Sequence, residues 1–477
     1  MGVPFMPPSV PYGNIKGIGK KVHMLQIMAR LYNDLKSSGT PFAGIYFYLS
    51  PVVLVTDLDF VKTVLVKDAA YFPDRGGYYN EEDDPLSANL FNIDNPKWRT
   101  LRTKLTPTFT SGKMKMMFGT ICDVGEKLIK TLGVESTRAV NNEIEIKDIA
   151  ARFTTDVIGS CAFGLDTSSL DDPKSLFRHH AKKLFDKPKY SQAFVQFVMM
   201  FKNLARKMHV TLFHKDSTEF FFNIVKDTVD YRDKKDVHRN DFMHLLMQLM
   251  KTGSLEGEAA TVGTLTIEEV AAQAFIFFLA GFETSSTAMC YSLFELSQNQ
   301  VVQDKARDSV KKVLAKHDGL FTYEAFAEMT YIENCIAESL RKYPPVTNLT
   351  RSCSKDYRVE GTDLIIKKGQ MVFIPAFAIQ NDPDIYPNPE IFEPDRFTPE
   401  ETAKRSAYAY LSFGQGPRNC IGLRFGIMQA KIGLAMMLNN YKFEPCSKSQ
   451  NPIKFDSGVF ILTPKDGVYL KVTKLVK

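Results

Sequence analysis

The chain contains no run of 18 uninterrupted apolar residues, so no stretch reads as a membrane-spanning helix. Its seven cysteines are scattered, odd in number and never spaced C-x-x-C. That pattern excludes a disulfide framework and a zinc site, and it fits a reducing compartment. No lysine/arginine run is long enough for a nucleic-acid patch, and the 60 basic residues exceed the 54 acidic ones by only six. So mild an excess suits an acidic protein partner or anionic lipid, not nucleic acid. No internal repeat or low-complexity linker divides the chain. The opening MGVPFMPPSVPYGN lacks both the charged and the apolar region of a secretory signal.

What is present is apolar and aromatic. Hydrophobic residues make up 44% of the 477, with 36 phenylalanines and 19 methionines against one tryptophan. A chain of this length buries roughly three quarters of its unfolded surface, enough for a core that encloses a cofactor. The periodicity predicts a helix over 22–37, two strands around Ser50-Pro51, and helices from about 95 to 340. Breaks are expected near Asp171-Asp172-Pro173, Lys187-Pro188-Lys189 and Gly253–Gly263. Short strands follow from about 356, then proline-rich coil over 382–399, then strands again over 441–473. The reading is a mainly α fold with a small β portion: a proline-rich hinge over 1–20 and a single domain over 21–477.

One decapeptide carries most of the chemistry: F-G-Q-G-P-R-N-C-I-G, from Phe413 to Gly422. Cys420 stands at the mouth of the helix-forming stretch LRFGIMQAKIGLAMML, where a helix dipole lowers a thiol pKa. Gly414 and Gly416 let backbone pass close to something flat and bulky, and Arg418 can meet a negative group on it. Five fixed positions (Phe413, Gly416, Arg418, Cys420, Gly422) match F-x-x-G-x-R-x-C-x-G. The string resembles the haem-binding loop of the cytochrome P450 family. The resemblance implies haem b with Cys420 as the axial thiolate.

Three further motifs occur in the family's order. A helix over Thr266–Ser297, about 48 Å long, carries Ala280-Gly281-Phe282-Glu283-Thr284 at its apolar centre. A mid-helix threonine bonds the carbonyl four residues back, and Gly281 leaves room for a small molecule against the backbone. The segment looks like the family's oxygen-activation motif, in which Thr284 steadies dioxygen and Glu283 feeds protons. Glu338 and Arg341 share a helix face. With Arg396, in F-E-P-D-R-F, they resemble the family's buried Glu-Arg-Arg cluster, although Asp395 stands where the family usually has glutamate. Trp98 and Arg102, spaced W-x-x-x-R, share another face. By resemblance these two, with Arg351 and Arg418, hold the haem propionates, and Arg75 is a weaker addition.

Substrate contacts by resemblance fall at 85–93, 185–225, Phe275–Leu279, Val346–Leu349 and Ser457–Phe460. No polar constellation stands out among them, which favours a broad apolar pocket. The 185–225 region also reads as a membrane-touching cover. Lys97, Arg99, Lys104, Lys113, Lys115, Arg424 and Lys431 read as a basic face for an acidic reductase. The wording is closest to insect microsomal enzymes of xenobiotic metabolism. This implies a monooxygenase drawing electrons from NADPH through a flavoprotein reductase, with cytochrome b5 as a second donor. It also implies a place on the cytosolic face of the endoplasmic reticulum, with an anchor helix removed ahead of the hinge. Two alternatives share Cys420. One is a haem-thiolate isomerase or peroxide-driven enzyme that needs no reductase; the other is a non-catalytic haem- or hydrophobe-binding protein.

Overall fold

The computed structural model describes residues 3–19, 22–186, 189–255 and 263–476. Helices dominate. Those that carry the site are α1 (Met24–Lys36), α2 (Lys97–Leu105), α3 (Ser111–Arg138), α4 (Ile146–Ile158), α5 (Lys215–Lys235), α6 (Ile267–Gln298), α7 (Thr330–Lys342) and α8 (Leu423–Asn440). The strands are β1 (Phe42–Phe47), β2 (Ser50–Val55), β3 (Glu143–Glu145), β4 (Leu349–Ser352), β5 (Met371–Ile374), β6 (Tyr441–Pro445) and β7 (Tyr469–Lys474). They form a four-stranded sheet ordered β1-β2-β5-β4 and a three-stranded sheet ordered β3-β7-β6. Tyr357–Arg358 pairs with Ile365–Ile366 as a separate short ladder. The mainly α reading with a small β portion holds. Lys187-Pro188, residues 256–262 and residues 1, 2 and 20 of the hinge lie outside the described residues.

The first hairpin turns one step earlier than its proline suggests. Phe47 pairs with Ser50, so Tyr48-Leu49 make the turn and Pro51 lies inside β2, opposite Tyr46. Tyr46 gives both main-chain groups to Asn14, accepting from its N–H at 2.8 Å and donating to its Oδ1 at 2.7 Å. Pro51 therefore deprives no partner of a hydrogen bond. The same N-terminal stretch covers the β1 edge, with Gly44 N–H on Pro4 O and Met6 N–H on Gly44 O.

The centre of the molecule is α6, capped by a reciprocal Thr266/Glu269 box. It is buried on most sides from Val270 to Ser297, which is why its sequence reads apolar all round. α4 and α8 pack against it. Gly433 marks the closest approach: a Cβ there would stand 2.5 Å from Met289 Cε and 2.8 Å from Phe153 Cε1. Any side chain at that point would force the three helices apart.

The cluster that ties α7 to the following coil forms as anticipated. Glu338 and Arg341 are fully buried and paired at 2.7 Å, and Arg396 Nε stands 3.4 Å from Glu338 Oε1. Arg341 also donates to Gln380 O at 2.9 Å and Pro389 O at 2.6 Å. Burial pushes the Glu338 carboxyl up against the pull of Arg341, so the pair persists only while complete. Glu338→Ala strands two guanidinium groups and is expected to cost about 3–5 kcal/mol. The loss should appear as failure to recover folded, haem-loaded protein. A variant purified with full haem content and the wild-type urea midpoint overturns the assignment.

Candidate active site

The loop before α8 is wound tightly. Gly414 N–H donates to Leu411 O, Asn419 N–H to Gly416 O, and Cys420 N–H to Phe413 O, the last at 2.8 Å. Gly416 has φ +72°, and a Cβ there would stand 1.8 Å from Leu65 O. The sequence reading had this glycine giving way to a flat ligand, but the neighbour that requires it is the Leu65 backbone. Gly422 is the N-cap of α8, and Phe413 is half-buried beneath the loop.

The Cys420 thiol does not follow the helix-dipole expectation. Burial pushes its pKa up, while the Gly422 N–H and the charges of Arg102 and Arg75 pull the other way. α8 begins only at Leu423, three residues on, so few of its free N–H groups reach the sulfur. A thiol of this kind gives up its proton when a cation takes the sulfur. Cys420 itself is exposed, so it is open to a ligand. A cavity of about 340 Å³ lies beside it, lined by Arg102, Thr106, Phe109, Asn419 and Arg424 among others.

Around this cysteine the fold gathers guanidinium groups from separate elements. Arg102 comes from α2 and donates to Asn419 O at 3.1 Å and Asn419 Oδ1 at 2.8 Å. Arg418 reaches Pro73 O, Ile93 O and Asp74 Oδ1, and Arg75 donates to Arg418 O at 2.8 Å. Arg351, on β4, is buried and donates to Thr350 O. Desolvation, reinforced by the charge of Arg418, lowers Arg351 to about 10, and desolvation with its cationic neighbours lowers Arg75 well below its ordinary value. Arg418 is also brought down by desolvation to about 10, although Asp74 holds it up. Among the described residues Asp74 is the one carboxylate bonded to this group. Such an excess of buried positive charge fits a bound dianion, and the two propionates of haem b are one. Trp98 belongs to the group too, but it stacks under Arg418, with Cζ 4.1 Å from the ring centre, and not under Arg102.

On α6 Ile276, Ala280 and Thr284, four apart, keep open surface, and so do Phe277, Leu279 and Gly281 between them. Thr284 Oγ1 donates to Ala280 O at 2.6 Å, as the spacing predicted. Gly281 leaves open surface beside Ala280, and its missing side chain also makes room for α4, since a Cβ there would stand 3.0 Å from Ile158 Cδ1. Glu283 departs from expectation. It is buried and paired at 2.8 Å with Lys147 of α4. Lys147 Nζ also donates to Ser286 Oγ at 2.7 Å and Thr287 Oγ1 at 3.0 Å. Lys147 escaped the sequence reading. Its signal was a lysine three and seven residues before Ala150 and Thr154, on the buried stripe of an amphipathic helix.

The phenylalanines expected to line a substrate pocket divide by burial. Phe221, Phe275 and Phe278 are core, packed ring to ring with centroids 5.2–5.3 Å apart. Phe194 and Phe197 pack with Tyr190 around Tyr78 and Val198, whereas Met200, Phe201, Leu204 and Met208 stay exposed. The basic face is smaller than anticipated. Lys104 and Lys431 are buried, Lys97 pairs with Glu81 and Lys115 with Glu324. Exposed Arg99 and Arg424 and half-buried Lys113 are left.

Two loops roof the N-terminal half of α6. Leu90 N–H donates to Gln273 Oε1 at 2.9 Å, and Phe213 stacks edge-on against Phe275. The loops are stitched together by Tyr78 OH on Val210 O, Arg206 on Tyr79 O, and Asp84 Oδ2 accepting from the N–H groups of Leu212 and Phe213.

A cysteine loop ringed by arginines, set against a long helix with an open threonine ledge, defines a haem-thiolate protein. The family model described as Cytochrome P450 matches residues 5–472. Probable cytochrome P450 6a14 of Drosophila melanogaster is 44% identical, over 99% of this chain and 94% of its own length. Probable cytochrome P450 6a20 and cytochrome P450 6a8 of the same species are 46% and 45% identical, each over 99% of this chain and over 94% and 93% of their own lengths. The chain belongs to the cytochrome P450 family. It is a haem-thiolate monooxygenase that uses haem b with a cysteine thiolate ligand, takes electrons from a redox partner and acts on apolar small molecules.

The roof supplies a pH test. Burial raises Asp84 from 3.8 to about 6. Its folded-state pKa lies above the unfolded value, so its contribution is full below about pH 4 and is lost as pH rises through about 6. Asp84→Asn keeps an oxygen acceptor for Leu212 and Phe213 but removes the titration. The variant is expected to gain roughly 2–3 kcal/mol over wild type at pH 7.5, with the gain shrinking toward pH 5. Urea midpoints whose difference is the same at both pH values overturn the assignment.

Proposed function

We propose that Cys420 is the thiolate ligand and that Trp98, Arg102, Arg351 and Arg418, with Arg75, anchor the propionates. Phe413, Gly416 and Gly422 shape the ligand loop. One observation carries this reading: four guanidinium groups, two buried and two half-buried, share a single bonded carboxylate around one cysteine that is open at the surface. When bound, the haem supplies the electron-transfer and dioxygen chemistry, to which a cysteine thiolate donates electron density. The chain's own residues do the rest. Ile276, Ala280 and Thr284 form a dry ledge on which a small apolar substrate rests. Thr284 keeps its hydroxyl proton at that ledge through Ala280 O. Glu283 is the acid that refills it; held at Lys147, it must leave that pairing to reach the ledge.

The substrates are apolar xenobiotics, and NADPH electrons arrive through a flavoprotein reductase, with cytochrome b5 as a second donor. The reductase docks where Arg99, Lys113 and Arg424 lie, near the 340 Å³ cavity beside Cys420. The protein works at the cytosolic face of the endoplasmic reticulum membrane. No described helix is long and apolar enough to cross a membrane.

Two substitutions test the two halves of the site. Cys420→Ser should lose the thiolate-type carbonyl spectrum and turnover together, and a variant that keeps the band removes Cys420 from the role. Thr284→Ala should keep the band but divert roughly ten times more NADPH into peroxide, because a positioned proton donor is lost. Unchanged product per NADPH in that variant counts against Thr284.

A further inference from the structure

We propose that Gln429 is a positioning residue that fixes the Ala280–Ser285 turn of α6 at a set depth above Cys420. The proposal rests on the reading of Thr284 as the residue that holds a proton at the open ledge of α6. Gln429 sits on α8, the helix that begins immediately after the cysteine loop, and it is fully buried. Its Nε2 donates to Gly281 O at 2.9 Å and to Ser285 Oγ at 2.5 Å. Gly281 and Ser285 are four apart, so one amide grips both ends of the turn that carries Thr284. Gly281 O can only accept, which sets the nitrogen of Gln429 toward it; the Ser285 hydroxyl adapts.

The surroundings make this grip the rigid link between the two sides of the site. On the far side of the turn, Ile158 of α4 fills the space left by Gly281. On the near side, Gly426 carries no side chain beneath Ser285, whose Oγ would stand 3.7 Å from a Cβ there. The turn is thus held between α4 and α8, and the only side-chain hydrogen bonds found between α8 and α6 are those of Gln429, among the described residues. From the Gly422 cap to Gln429 the helix rises roughly 10 Å, so the placement of Cys420 is transmitted along α8 to the Gly281 carbonyl.

The amide also leaves its own Oε1 without a protein donor in the core. The neighbouring positions Met428 and Ile432 fill the same interior with apolar groups. An apolar side chain would pack there without an orphaned oxygen, so the amide is there for its donor.

The test uses the haem-loaded full chain with Gln429→Met, which keeps volume but loses the donor, and Gln429→Glu, which regains it only when protonated. Gln429→Met is expected to keep haem content and the thiolate-type carbonyl band. Amide hydrogen exchange at Phe282–Ser285 should rise about tenfold, and product per NADPH should fall about threefold with substrate affinity unchanged. Gln429→Glu should couple like wild type at low pH, where a protonated carboxyl donates to Gly281 O, and lose coupling as pH rises. Wild-type exchange and coupling in Gln429→Met overturn the proposal. So does loss of the carbonyl band, because Gln429 would then be holding the Cys420 helix itself. If Thr284→Ala remains coupled, the Thr284 reading fails; faster exchange at Phe282–Ser285 in Gln429→Met would still support the grip, and unchanged exchange would overturn it.

Discussion

Like charges brought together out of water repel, and the centre of this protein is organised around that repulsion. Desolvation lowers the proton affinity of Arg75, Arg351 and Arg418, the charges of neighbouring arginines add to it, and Asp74 offsets part of the shift at Arg418. The groups come from the coil ahead of α2, from β4 and from the cysteine loop, and α2 adds Arg102 beside them. Folding alone gains nothing by assembling them. A bound dianion would turn the same arrangement from a cost into an attraction. The buried Glu338–Arg341–Arg396 cluster serves the same end by a different route. It pins α7 to the coil and so fixes the frame on which the cysteine loop is hung.

α6 bears the other half of the site. A helix so thoroughly buried has few places for polar groups, yet Glu283, Thr284, Ser285, Ser286 and Thr287 follow one another at its middle. Three partners share them. Lys147 takes Glu283, Ser286 and Thr287, Gln429 takes Ser285, and Thr284 turns back on Ala280 O. The belt is therefore divided by direction: an ionic side facing α4, a neutral side facing α8, and one hydroxyl at the open ledge. A carboxylate clamped by a buried lysine does not move freely, so Glu283 is held on the α4 side of the belt.

Much of this was legible in the sequence where chemistry depends on local spacing. Thr284 bonds four residues back because any helical threonine can, and the T-x-x-E box at Thr266 starts α6 where the apolar run begins. Glu338 and Arg341 meet because they are three apart on one helix. Spacing failed where the deciding partner is distant in the chain. Gly416 looked like a concession to a ligand but is required by Leu65 O. Gly281 leaves the open surface expected of it, but it also makes room for Ile158, a partner far off in the chain. Trp98 was matched with the arginine one turn away and stacks instead on Arg418. The seven-residue basic face shrank because glutamates from other segments reach Lys97, Lys115 and Lys431.

The sequence by itself determined the family, the cofactor-ligand loop, the oxygen-side helix and the mainly α class. Each is written as a short motif whose hydrogen bonds close within one turn or loop. Only the tertiary structure decided the electrostatics. It raised the Cys420 thiol by desolvation against the pull of Gly422 N–H and nearby arginines, set Lys147 on Glu283, and joined Gln429 to Gly281. Those outcomes depend on desolvation and on approach between helices far apart in the chain, and no local pattern encodes either. The cysteine is therefore named by the chain but tuned by its packing.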